Sequence, residues 1–173
     1  MLPTFITIIV ITVIIVVWVV ATQRKLVVLD ENINNAMSQI GIQISSRFDA
    51  LTALLELTKG YSKNESETLI ETIKSRRRVI TAKSTPDDVL CQERVLIEVL
   101  GFFAILSEQY PDLKANVTYI KTKNAIDVFE NMVRTSKLIY NVAVTKLNRE
   151  IRMIPVSIIA GMLGFSDRIY LED

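Results

Sequence analysis

The chain contains no histidine. That excludes imidazole general bases, imidazole zinc ligands and every catalytic triad built on histidine. Cys91 is the single cysteine, so an intramolecular disulfide and a thiolate metal cluster are both impossible. With no histidine to activate it, Cys91 reads as structural or incidental rather than as a nucleophile. Glycine and proline number only five and four in 173 residues, which argues against a turn-rich β-sandwich and against a disordered chain. The glycines, at positions 41, 60, 101, 161 and 164, are too scattered to cradle a phosphate, and no nucleophile elbow is present. With 20 basic and 19 acidic residues there is no cationic surplus to hold a nucleic-acid backbone. The adjacent acids Asp87 and Asp88 lack the alternating spacing of a calcium loop. The expectation is a protein without catalytic residues, metal, cofactor or nucleic-acid partner.

Charge is also missing from one end. No Asp, Glu, Lys or Arg occurs before Arg24. Leu2 to Ala21 is almost entirely Ile, Val, Leu, Phe and Trp, and roughly 20 apolar residues match a hydrocarbon core of about 30 Å. In lipid every backbone group needs an internal partner, so such a segment must be helical despite its β-branched content. Trp18 suits an interfacial anchor. The competing reading, a cleaved signal peptide, lacks a basic leading region and a small-residue cleavage site, and its apolar stretch is too long. Residues 1–23 therefore read as a transmembrane anchor. Arg24 and Lys25 on the inner flank place the short N-terminus outside and the remainder in the cytoplasm.

Helical periodicity begins directly after the anchor. Leu26, Leu29, Ile33, Ala36, Ile40, Ile44, Phe48, Leu51 and Leu54 recur in steps of three and four, a near-heptad stripe. No breaker intervenes between Pro3 and Gly60, which predicts one helix to about Lys59, closed by Gly60 in a left-handed conformation. A second helix is expected over 66–83, with Leu69, Ile73 and Ile80 on one face and an Asn64/Glu67 capping box. On that helix Arg76, Arg77 and Arg78 would form a solvated face. Thr85, Pro86, Asp87 and Asp88 signal a third helix start. From Val95 to Leu106 this helix is apolar almost all round, predicting burial on most sides. Pro111 ends it, Asn116 caps the next, and the last helix carries a seam from Tyr119 through Ile126, Phe129, Val133, Ser136, Tyr140, Ala143, Leu147 and Ile151 to Ile154.

These pieces predict an all-α fold over residues 24–154: an up-and-down four-helix bundle with two long outer helices, which alone continue as a coiled-coil-like stalk near the membrane. Residues 155–173 are left as an apolar tail beside the bilayer. Ile158, Ile159, Met162, Leu163 and Phe165 either contact membrane or pack back on the bundle. Gln43 and Arg47 are polar on an otherwise apolar seam. They either fix register and partner choice or border the seam and snorkel.

Several separated motifs carry a resemblance. Asn35-Ala36-Met37-Ser38-Gln39-Ile40, Gln43, Arg47-Phe48-Asp49, Leu51 and Lys59-Gly60-Tyr61 resemble the start of the LemA family domain. Tyr110-Pro111-Asp112-Leu113-Lys114-Ala115-Asn116 resembles its most specific signature. Tyr140-Asn141, Asn148, Ile151, Pro155, Ile159-Ala160 and Gly164-Phe165 resemble its end. The resemblance implies a four-helix bundle behind an N-terminal anchor. One family member is implicated in forming magnetosome membranes, and family genes often stand beside that of a membrane-bound zinc protease. No molecular function is established for the family. The combined expectation is a single-pass membrane protein acting as an interaction or scaffold module, with the lipid bilayer and a protein partner or second copy as its contacts. The alternatives are a lipid-associated membrane-remodelling protein and an accessory regulator of a membrane protease.

Overall fold

A computed structural model describes residues 2–172. Its element order is α1 (Leu2–Thr58), α2 (Lys63–Arg76), α3 (Pro86–Gln109), α4 (Pro111–Ala115), α5 (Val117–Arg152) and α6 (Val156–Met162). No strand occurs among the described residues, and the fold is all-α.

Two compact units divide the chain. The first contains residues up to Ile33 together with Tyr140–Tyr170. Here α1 carries one stretch long and apolar enough to cross a membrane, and that stretch is nowhere buried. Phe5, Ile6, Ile8 and Ile11, which lie on different sides of the helix, are all exposed. Beyond Ala21 the helix becomes two-faced, with Thr22, Leu26 and Ile33 buried. Lys25 pairs with Glu150 at 2.7 Å, while Asp30 pairs with Arg168, whose backbone is held by Asn148, so α1 and α5 run antiparallel there. After α6 a Schellman motif reverses the chain: Phe165 N–H donates to Ala160 O, and Gly164 N–H to Gly161 O. Gly164 adopts φ +78°, a left-handed conformation that a side chain would strain. The returning segment is stitched to α5. Asn148, itself buried, donates to Arg168 O at 2.9 Å and accepts from Arg168 N at 2.8 Å, and Tyr140 Oη donates to Ile169 O at 3.0 Å. Burial pushes the Tyr140 phenol upward in pKa, with the Arg168 charge opposing. Replacing Asn148 with Leu removes both backbone partners of Arg168. It should cost about 2 kcal/mol and raise amide exchange over 167–170, measurable by mass spectrometry.

The second unit comprises Asn34–Ile139 with Leu171 and Glu172. Helical segments from α1, α2, α3 and α5, with α4, enclose a core in which Phe48, Ile40, Ile44, Leu51, Leu96, Val99, Leu113 and Ile126 are almost fully buried. The α3 start follows the expected chemistry: Thr85 and Asp88 form a reciprocal capping box. Backbone and side-chain hydrogen bonds from Thr85 hold the Asp88 carboxyl below its usual pKa. A depressed acid stabilises the fold above its unfolded pKa and ceases to do so as pH falls through the folded value. Thr85→Ala should therefore cost about 1 kcal/mol at neutral pH. That difference should shrink in melts taken below pH 3.8, the unperturbed carboxyl value. Asn116 caps α5 as expected, its Oδ1 accepting from Thr118 N and Tyr119 N.

Several expectations are corrected. The second helix stops at Arg76 rather than continuing to Lys83, and Arg77 is extended. Its N-cap is Ser62 without a side-chain cap bond, not an Asn64 box. The reason it stops is tertiary. Gln92, buried on α3, accepts from Arg78 N at 2.7 Å and donates to Arg76 O at 3.3 Å, taking the place of helical bonds. The arginines divide: Arg76 and Arg78 are exposed, as a solvated face requires, with Arg76 pairing with Glu98 at the surface, whereas Arg77 is half-buried, pairs with Asp49 at 2.6 Å and lies 5.6 Å from the Phe48 ring. Gly60 is not left-handed; α1 closes instead through Tyr61 N and Ser62 N onto Thr58 O. Ile154 lies beyond the end of α5 and is exposed. Finally, α3 is not buried on most sides. Ile97 is 64% exposed and Ile105 59%.

Candidate interaction site

The uncovered face of α3 borders an open cavity of about 810 Å³. Its walls are Ile97, Leu100 and Gly101 of α3 and Val133 and Leu138 of α5. Its charged groups are Arg47 from α1, Glu93 from α3, and Glu130, Arg134 and Lys137 from α5. Three bases against two acids leave the lining with one net positive charge. The apolar walls follow from helical spacing, because Ile97 and Gly101 are four apart and share one edge of α3. Gly101 has no heavy atom within 4 Å of the place a Cβ would occupy, so the helix backbone is approachable there.

Two of these cations are buried. Arg47 is 5% exposed and Lys137 7%. Lys137 Nζ donates to Glu93 Oε2 at 3.2 Å. Arg47 donates from Nη2 to Glu130, whose side chain is 55% exposed. The Arg47 Nε is buried and has no hydrogen-bond partner. Arg152 and Arg168 each offer Nε and Nη2 together to one aspartate. Arg47 uses only half of that fork, so the site holds an unsatisfied donor.

Gln43 lies one turn from Arg47 on α1 but does not join it. It is half-buried and lines a separate shallow depression with Val128, Asn131, Met132, Thr135 and Ser136 of α5. Ile158, Met162 and Leu163 are exposed in the first unit, and Ile159 and Phe165 are half-buried there. Lys137, Glu93 and Glu130 were not singled out by sequence. One signal pointed to Lys137, which sits four residues after Val133 and three before Tyr140, on the buried stripe of α5. Ser136, placed on that stripe by sequence, is only half-buried. No group of metal-binding side chains occurs among the described residues.

The family model described as LemA family matches residues 36–173. Among curated proteins, Protein LemA of Metamycoplasma hominis is 29% identical over 126 residues, covering 70% of this chain and 56% of that protein. The chain thus spans little more than half the length of that relative. With a family model covering the whole helical region beyond residue 35, and an all-α bundle of the expected order beneath it, this chain belongs to the LemA family.

Proposed function

We propose that this is a membrane-anchored interaction protein without catalytic activity, whose α3/α5 groove receives an acidic amphipathic helix of a protein partner. One observation carries the reading: a groove with exposed apolar walls sits over a buried arginine whose Nε lacks a partner. An apolar face of α3 left open in this way lends itself to helix-in-groove recognition. The net positive lining and the half-used guanidinium favour a carboxylate on the incoming helix. α1 would hold the bundle at the bilayer, on the cytoplasmic side by the Arg24 and Lys25 flank. The absence of histidine from the sequence supports a role in binding rather than chemistry.

A photo-crosslinker in place of Leu138 tests this in intact cells. The expected result is a discrete adduct to another protein, absent when the crosslinker replaces Val79, which is 78% exposed away from the groove. An adduct to a second copy of this chain would replace the partner helix by self-association. Equal, diffuse labelling from both positions would sink the groove as a site. The accessory role beside a membrane protease is one case of the same reading, with the protease as the adduct.

A further inference from the structure

The first unit carries a second uncharged stretch, whose position is fixed by its neighbours. Residues 153–166 contain no Asp, Glu, Lys or Arg, while Arg152 and Asp167 at its two ends are joined as an ion pair. The stretch is therefore a closed excursion past the C-terminal end of α5. Its level along α1 can be read from the register. Asp30 pairs with Arg168, whose backbone is held by Asn148, and Lys25 pairs with Glu150. α5 thus runs toward its C-terminus as α1 runs toward its N-terminus. The excursion beyond Arg152 lies alongside the part of α1 that precedes Lys25, where α1 loses its own charges.

Charge therefore ends at one common level on both helices. Arg24, Lys25, Arg149, Arg152 and Arg168 are all exposed around that level. Beyond it, α6 buries Ala160 but leaves its other face open: Ile158 is 65% exposed and Met162 83%, one turn apart, with Ile154 at 83% and Leu163 at 40% beside them. In water this is an uncovered apolar patch. At a bilayer surface it matches what an interfacial element needs: an apolar face toward the acyl chains and arginines at the headgroups.

We infer that residues 153–166 form a second membrane-contacting element, with α6 lying in the interfacial layer of the bilayer beside the point where α1 emerges. It lies on the surface rather than crossing, since seven helical residues are far short of a span. It would grip the base of α1 at a fixed height and orientation relative to the lipid. This inference rests on α1 being a membrane span, and the test separates the two.

The full chain carrying Cys91→Ser is reconstituted in phosphatidylcholine–phosphatidylglycerol vesicles with an environment-sensitive fluorophore on one new cysteine, introduced by Met162→Cys, Val10→Cys or Val79→Cys. The expected result is strong quenching at position 162 by lipids spin-labelled high on the acyl chain and little by aqueous iodide. Depth should be about 5–10 Å below the headgroups, shallower than at position 10. Position 79 should respond to iodide alone. If 10 is quenched by lipid while 162 follows 79, the interfacial placement is overturned and the anchor stands. If neither 10 nor 162 is quenched by lipid, both fall. Ile158→Asp with Met162→Asp should leave helicity unchanged by circular dichroism and abolish lipid quenching at a label introduced by Ile154→Cys. Retained quenching there would also overturn the inference.

Discussion

Gly41→Ala is expected to destabilise the bundle by about 3 kcal/mol, lowering Tm by roughly 10 °C. A Cβ at this position would stand 2.1 Å from the Ile80 carbonyl oxygen and 2.9 Å from its carbon. The obstacle is backbone, so no side-chain rotamer relieves it. The segment 77–81 must move off α1, and what it carries moves too: buried Ile80 and the Arg77 contacts to Asp49, Ser45 and Phe48. Gly101→Ala is the matched control. It lies in a helix with open space around it, so alanine should stabilise by up to about 1 kcal/mol through helix propensity alone. The same substitution thus carries opposite signs on two helices. Thermal melts of the full chain in detergent read both, and amide exchange should localise the Gly41→Ala loss to 77–84. A Gly41→Ala chain that melts like the parent would mean that the 77–81 segment does not dock on α1.

Gly41 also shows where sequence reading stops. The apolar stripe of α1 was legible because burial on a helix has a period, and its members Ile33 through Leu54 are in the core. The Thr85 cap, Pro111 and Asn116 were legible because capping chemistry acts within a few residues. The end of α2 was not. Residues 77–81 form a non-helical segment whose start is held by Gln92, fourteen and sixteen positions away in sequence from its bonded partners, and which is fitted against a glycine on α1. Nothing local distinguishes Gln92 from a solvent-facing glutamine. The open face of α3 was misread for a related reason. Composition shows that Ile97 and Ile105 are apolar, but only the arrangement of the other helices decides whether anything covers them. Of the site, Arg47 stood out as a charge on an apolar seam, whereas its partner Glu130 lies on an ordinary exposed position of α5 and became visible only through the contact.

The Arg47–Glu130 pair should respond asymmetrically to mutation. Glu130→Ala is expected to cost about 2 kcal/mol, less than the roughly 3–5 kcal/mol of a broken, fully buried pair because Glu130 itself is half in water. Arg47→Met should be within about 1 kcal/mol of the parent. The burial is unequal, with side-chain exposures of 6% for Arg47 and 55% for Glu130. Deleting the acid leaves a cation in the core with neither its Nη2 acceptor nor a partner for Nε. Deleting the cation leaves a carboxylate that water already solvates, and methionine keeps most of the arginine stem's packing. The double variant should be as stable as Arg47→Met, because the charge stranded by Glu130→Ala is gone. Urea melts of the four chains give the cycle, and a Glu130→Ala loss that persists undiminished in the Arg47→Met background would show that Glu130 acts through something other than this pair. Arg47→Met then becomes the variant that separates folding from recognition, since it keeps the bundle while removing the half-used guanidinium. If the Leu138 crosslink to a partner vanishes in that chain, the charge takes part in recognition; if the crosslink survives, the apolar walls of Ile97, Val133 and Leu138 suffice, and the buried arginine serves the fold alone.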